Sequence, residues 1–168
     1  MDVGKTCLLS QYVHNKLPKT TAPTIGVEFA TKNVMLQNGQ SVKAQIWDTA
    51  GQEKYKAICG AHYKRALGAL LVYDVTNRLS FDELDTWIQN LMQKAEADIQ
   101  VIMVGNKLDK VRQNPSLRQV ELAEAQQLAE ANNFMFLETS AFASENVTTA
   151  FETLLNAIST IQERKLKS

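Results

Sequence analysis

Gly4-Lys5-Thr6 is a residue combination that can hold phosphate where a helix begins. Gly4 would let the backbone approach a phosphate closely. The amides around Val3 to Thr6 open a helix, where aligned N–H groups favour anions. Lys5 would reach the β- and γ-phosphates of a nucleotide, and the Thr6 hydroxyl would ligate Mg²⁺. Taken alone, the tripeptide is weak, because a plain helix start accounts for it equally well. It is followed, in order, by Thr24-Ile25-Gly26, Asp48-Thr49-Ala50-Gly51-Gln52, Asn106-Lys107-Leu108-Asp109 and Thr139-Ser140-Ala141. That ordered series is far more specific than any member of it.

Each later motif has its own chemistry. Asp48 can hold Mg²⁺ through water, since Mg²⁺ keeps several of its waters. Gly51 can offer its N–H to a γ-phosphate, and Gln52 is placed to orient an attacking water. Helix capping by Asp48 and a turn at Gly51 are common fates, but neither explains Gln52. Thr24 lies in a polar, Pro-interrupted loop, Leu17 to Gly26. Its hydroxyl would complete the Mg²⁺ shell only beside a γ-phosphate, which would make the loop a switch. The Asp109 carboxylate can accept two hydrogen bonds from guanine N1–H and N2–H₂, a pair adenine does not offer. The aliphatic stem of Lys107 can cover one face of the base. Asn106 would brace neighbouring loops, while Ser140 and Ala141 would bring a backbone N–H to guanine O6.

The elements that must position these residues can be read from hydrophobic period. Val27 to Trp47 reads as a hairpin, with Asn38-Gly39 as a tight-turn pair and Val42, Ala44 and Ile46 alternating after it. Leu67 to Val75, Ile99 to Val104 and Phe134 to Leu137 are short apolar runs suited to parallel strands covered on both faces. Phe81, Leu84, Ile88 and Leu91 share a helical face, and Ser80 with Glu83 has capping-box spacing. Leu122, Ala125, Leu128 and Ala129 form a second stripe. Val147, Phe151, Leu154, Leu155, Ile158 and Ile161 form the clearest one. Alternating strands and helices predict an α/β fold with a doubly wound, mostly parallel sheet. In such sheets ligands bind beyond the carboxyl ends of the strands. Asp48, Asn106 to Asp109 and Thr139 to Ala141 each follow a strand, so the motifs should share one edge.

Composition narrows the setting. A chain of 168 residues fits one domain. The 18 basic and 18 acidic residues cancel, so no global pull toward nucleic acid or anionic lipid follows. The basic end, Glu163 to Ser168, reads as a solvated helix terminus. Two cysteines, Cys7 and Cys59, make no disulfide framework and suit a reduced cytosolic setting. Cys7, in an apolar helix start, reads as a structural thiol. Neither cysteine has metal-ligand spacing with His14 or His62. No apolar run is long enough to cross a bilayer, and no C-terminal cysteine offers a prenylation site.

With these residues in view, the chain resembles the Ras superfamily of small GTPases, and within it the Rab family. The resemblance extends over essentially the whole chain. It rests on the nucleotide motifs, on Thr24 to Phe29, on Trp47 to Tyr55, on Tyr63-Lys64-Arg65 and on Leu70 to Thr76. It implies a P-loop NTPase-like small G domain over residues 1–163, with 164–168 beginning a C-terminal tail. The Gly26 to Tyr73 stretch is most similar to the exocytic and recycling groups of that family.

The resemblance also implies GTP and GDP as ligands, with Val3, Gly4, Lys5, Thr6, Cys7, Thr24, Gly51, Asn106, Lys107, Asp109, Ser140 and Ala141 around the nucleotide. It implies Mg²⁺ on Thr6, Thr24 and Asp48, and catalysis by Gln52 and Lys5. Phe29, Trp47 and Tyr63 match the aromatic triad of the effector surface. Exchange factors, activating proteins and effectors are the implied partners, and an activating protein would supply the transition-state arginine. The implied place is the cytoplasm and the cytosolic face of endomembranes, reached through a lipidated tail that these residues do not include.

Departures set further expectations. The pattern G-x-x-x-x-G-K-[ST] would put its first glycine before Met1, so a sheet short of its first strand is expected, as in a chain trimmed at its ends. Phe142 stands where Rab proteins usually carry Lys or Leu, and would pack on the base or on the core. Lys110 to Arg118 is expected to be a surface loop. The rival readings are a pseudo-GTPase that binds effectors without turnover and an inactive truncated fragment.

Overall fold

The computed structural model describes residues 3–17, 27–49 and 67–167. Thr24, Gly51, Gln52 and Tyr63 lie outside them, and Phe29, Trp47 and Asp48 are described through their backbone alone. In chain order the elements are α1 (Lys5–His14), β1 (Val27–Met35), β2 (Ser41–Thr49), β3 (Gly68–Asp74), α2 (Arg78–Asp82), α3 (Leu84–Lys94), β4 (Gln100–Asn106), α4 (Leu108–Gln113), α5 (Leu122–Ala131), β5 (Met135–Glu138) and α6 (Val147–Lys167).

Two sheets result. β1 and β2 form an antiparallel ribbon with Val27 opposite Thr49 and Met35 opposite Ser41. β3, β4 and β5 are parallel, in that order, with Asp74 beside Asn106 and Gly105 beside Glu138. The parallel order follows from the runs that encode it. β4 is apolar on consecutive positions, and Val101 to Asn106 are all buried. Alternate β4 side chains point to opposite faces. Ile102 and Val104 join a core with α1 and α6, through Leu8, Tyr12, Phe151 and Leu154. Met103 joins a second core with Phe81, Leu84, Ile88 and Ala125. Helices therefore cover the sheet on both sides, which is the doubly wound α/β arrangement.

β3 differs. Only Tyr73 and Asp74 are buried, while Gly68 to Val72 stay half-buried despite their apolar character. The cause is the sheet edge: among the described residues β3 pairs with β4 alone and β2 with β1 alone.

Four local expectations need correction. The hairpin closes through Leu36 to Gln40 rather than through a two-residue turn. Leu36 N–H donates to the Gln40 carbonyl at 2.8 Å and Gly39 N–H to the Leu36 carbonyl at 3.0 Å, with Gly39 left-handed at φ 86°. This three-residue loop leaves the Asn38 Oδ1 to accept from Gln40 N–H at 2.9 Å. The helix after β3 is capped by Asn77, whose side chain accepts from Ser80 N–H, and not by a Ser80/Glu83 box. The Ser80 hydroxyl is already used: it accepts from Asp74 N–H at 2.9 Å and donates to the Asn77 carbonyl at 2.7 Å. Lys110 to Arg118 is no plain loop. It carries most of α4 and a 3-10 turn at Pro115–Leu117, because the Asn114 side chain caps that turn by accepting from Ser116 N–H at 3.1 Å. In α5 the buried face is Ala125 and Ala129, while Leu122 lies exposed at its start.

Candidate nucleotide site

The site is built where β4 ends. Asn106 is 1% exposed and ties three chain segments together. Its Nδ2 donates to the Val3 carbonyl at 3.0 Å. Its Oδ1 accepts from the Thr139 hydroxyl at 3.0 Å and from Ala141 N–H at 3.2 Å. A short amide at a strand end thus fixes the start of α1 and the loop after β5 at one point, which is the bracing role its motif predicts.

Gly4 sits directly against this knot. It is left-handed, with φ 90°, at the cap position of α1. A Cβ there would lie 2.3 Å from Asn106 Nδ2 and 4.0 Å from Lys107 Cε. Both the backbone conformation and the space require glycine. The amides that follow it open α1, the arrangement that favours an anion.

Lys107 is also left-handed, with φ 71°. Its ammonium reaches the Asp74 carboxylate at 3.1 Å. The other oxygen of Asp74 accepts from Thr76 N–H at 2.8 Å and from the Thr76 hydroxyl at 2.6 Å. The lysine stem is thereby held along the edge of the sheet. Asp74 is a residue for which sequence reasoning assigned no role. Its signal was positional: it ends β3 in register with Asn106 at the end of β4.

Asp109 stands in the first turn of α4. One carboxylate oxygen accepts from the Ser140 hydroxyl at 2.7 Å. That hydroxyl also accepts from Ala143 N–H at 2.9 Å, and Ser140 itself is fully buried. Ser140 so orients the carboxylate expected to read the base. The loop is pinned further by Gln11, whose Nε2 donates to the Ala141 carbonyl at 2.8 Å, a contact no motif announces. Behind it, Arg118 grips Glu138 through two bonds of 2.7 and 2.9 Å. That bond to Glu138 raises the guanidinium pKa further above its ordinary value. Phe142 is 70% exposed, so its packing on the core is excluded.

The structure brings together Val3, Gly4, Asn106, Lys107, Asp109, Ser140 and Ala141. The Lys5 ammonium lies 6.0 Å from the centre of the Trp87 ring. Such a cation over an indole is a favourable placement in its own right. Thr6 and Cys7 occupy the first turn of α1, with Cys7 half-buried against the α1–α6 core. Asp48 sits opposite Glu28, one residue before β2 ends. Among the described residues no group of three or more His, Cys, Asp and Glu could hold a metal ion, and no helix is long and apolar enough to cross a membrane.

A glycine-bounded helix start, a buried asparagine knot and an oriented aspartate thus meet at one edge of an α/β sheet. Comparison with known proteins shows the family. The family model described as Ras family matches residues 1–160. "GTP-binding protein ypt3" of Schizosaccharomyces pombe is 47% identical over 93% of this chain and 71% of its own length. "Ras-related protein RGP2" of Oryza sativa subsp. japonica is 47% identical over 97% of the chain and 73% of its own. "Ras-related protein RABA4d" of Arabidopsis thaliana is 46% identical over 97% and 71%. The chain belongs to the Ras family, as a Rab-type small GTPase, the class of GTP-hydrolysing switches that serve membrane traffic. The pseudo-GTPase reading is not favoured by these relatives.

Proposed function

We propose that the edge formed by β4, α4 and the loop after β5 holds guanine, while the start of α1 holds the phosphates of GTP or GDP. The observation that carries this is the Asn106 knot, because it joins the two half-sites through Val3, Thr139 and Ala141. Asp109, oriented by Ser140, selects guanine. Lys107 covers the base with a stem anchored on Asp74. Gly4 and the amides after it receive phosphate, and Lys5 leaves the Trp87 ring to offset phosphate charge.

Thr6, Thr24 and Asp48 would hold Mg²⁺. Two hydroxyls and a carboxylate are hard oxygen donors that suit Mg²⁺ rather than a softer metal. Bound there, the ion would neutralise charge on the phosphate oxygens. Gln52 orients the water that attacks the γ-phosphate, with Gly51 offering its N–H to that phosphate. An activating protein supplies the arginine. Exchange factors and effectors meet the surface of Phe29, Trp47 and Tyr63. The protein acts at the cytosolic face of endomembranes.

The test is to denature the purified chain and identify released nucleotide by chromatography. About one guanine nucleotide per chain is the expected result; an empty, folded chain would overturn the reading. On loaded protein, Gln52→Leu should slow single-turnover hydrolysis by at least tenfold and leave nucleotide content unchanged. Unchanged turnover would remove Gln52 from the mechanism.

A further inference from the structure

We propose that Arg112 and Glu145 are a positioning pair that straps the base-reading loop to α4 and slows release of guanine nucleotide; this rests on the nucleotide site proposed above. Arg112 lies three residues after Asp109 on α4, so the two share a helix face. Both grip the same turn. Asp109 accepts from the Ser140 hydroxyl at 2.7 Å. Arg112 donates to both carboxylate oxygens of Glu145, to one of them at 2.5 Å. Ser140 and Glu145 are in turn paired with each other. Ser140 N–H donates to the Glu145 carbonyl at 3.1 Å, and Glu145 N–H to the Ser140 carbonyl at 2.9 Å. Two rungs therefore join α4 to the turn, and one of them carries the carboxylate that reads the base.

The turn needs the second rung. Its near end is held at Ala141, whose N–H bonds to Asn106 and whose carbonyl bonds to Gln11. Its far end is strained. Ser144 and Asn146 are left-handed, at φ 54° and 59°. Asn tolerates that conformation, whereas Ser rarely adopts it. Strained backbone persists only where the surroundings hold it. The Arg112 pair supplies such a hold, beside an exposed bond from Asn146 Nδ2 to the Glu138 carbonyl at 2.9 Å.

The Glu145 side chain is 27% exposed against 61% for Arg112, so the carboxylate is the more covered partner. Removing the guanidinium strips that covered charge of its ion-pair partner, in the turn that also serves Asp109. A two-pronged ion pair fixes direction as well as distance. An exposed one contributes little to global stability. Its effect is therefore local. A loosened turn frees the Ser140 hydroxyl that orients Asp109, which opens the base site and speeds dissociation.

The test is a double-mutant cycle: Arg112→Gln, Glu145→Gln and both together, on chain loaded with radiolabelled GDP. Each single variant should release GDP about threefold faster than the parent, the upper part of what an exposed pair carries. The double variant should release it no faster than the faster single. Inosine diphosphate lacks the 2-amino group and offers Asp109 one bond fewer, so its release should change less. The ratio of inosine diphosphate to GDP release rates should fall by about half in the variants. Hydrogen exchange reads the turn without nucleotide: the Ser140 and Glu145 amides should exchange faster in the double variant, and those of Val101 to Val104 should not. Parental release rates, single effects that multiply in the double, an unchanged nucleotide ratio or unchanged turn amides would overturn the proposal. So would a fall of more than about 5 °C in the double variant's melting temperature, which would make the pair a bond of global stability. A parent chain without guanine nucleotide is the failure of the nucleotide reading. A loaded parent whose variants match it is the failure of the strap alone.

Discussion

A buried polar side chain is tolerated only when its hydrogen bonds are met, and Asn106 meets three with partners more than thirty residues away in sequence. The consequence falls on Gly4. Gly4→Ala puts a methyl 2.3 Å from Asn106 Nδ2, and that amide cannot swing aside without releasing Val3. The left-handed backbone adds roughly 1–2 kcal/mol for any residue with a Cβ. Thermal unfolding of Gly4→Ala should therefore move down by several degrees, and nucleotide recovered per chain should fall with it. A variant with unchanged melting temperature and full nucleotide would separate Gly4 from the knot. At this scale the sequence was legible where a residue type has few uses: Asn106, Asp109 and Gly4 were named from their motifs. Asp74 and Gln11 were not. An aspartate after an apolar run has many fates, and the bond from Gln11 to the Ala141 carbonyl depends on a fold that brings residues 130 apart together.

Element types were legible because runs and stripes have the periods of strand and helix, but their ends were set by side chains with competing partners. Ser80 illustrates this. Its spacing to Glu83 suggested a cap, yet the end of β3 takes its hydroxyl and leaves the cap to Asn77. Asn77→Ala should cost about 1 kcal/mol, the usual worth of an N-cap, in urea unfolding. Glu83→Ala should cost less than a third of that, since no side-chain cap bond from Glu83 is made. Equal losses would restore the capping-box assignment. The far end of α6 has a different anchor. Lys165 hydrogen-bonds Asp98, and that bond holds the Asp98 carboxyl below its ordinary pKa. A depressed carboxyl stabilises the folded state above the ordinary carboxylate range, and that contribution is lost as pH falls through the depressed value. Amides of the last turn of α6 should therefore exchange faster at pH 3 than intrinsic rates predict, relative to pH 6. Asp98→Asn should abolish the difference; a pH response that survives it would assign the effect to another group.

At the scale of the molecule, the described strands form two sheets that share helices, and stability should not be uniform. β4 lies between β3 and β5 and is buried from Val101 onward, so its bonds open only when the parallel sheet does. The β1–β2 ribbon buries Val34, Leu36 and Ala44 against the α1–α6 core. Further ties include the Lys32 ammonium on the Tyr12 carbonyl at 2.6 Å, Gln37 N–H on Asn156 Oδ1 at 3.1 Å, and Asn38 on Glu163 at 2.7 Å. The ties to α6 are exposed, and exposed polar contacts contribute little. Regions with few buried contacts open below the global free energy. Native-state hydrogen exchange should show Val101 to Val104 opening at the global limit and the ribbon opening at least 1.4 kcal/mol below it, a factor of about ten. Half-buried β3 should fall between them, because among the described residues it pairs with β4 alone. If ribbon and β4 amides report one common free energy, the two sheets unfold as a unit. The helices α1 and α6, whose core both sheets join, would then carry the coupling between them.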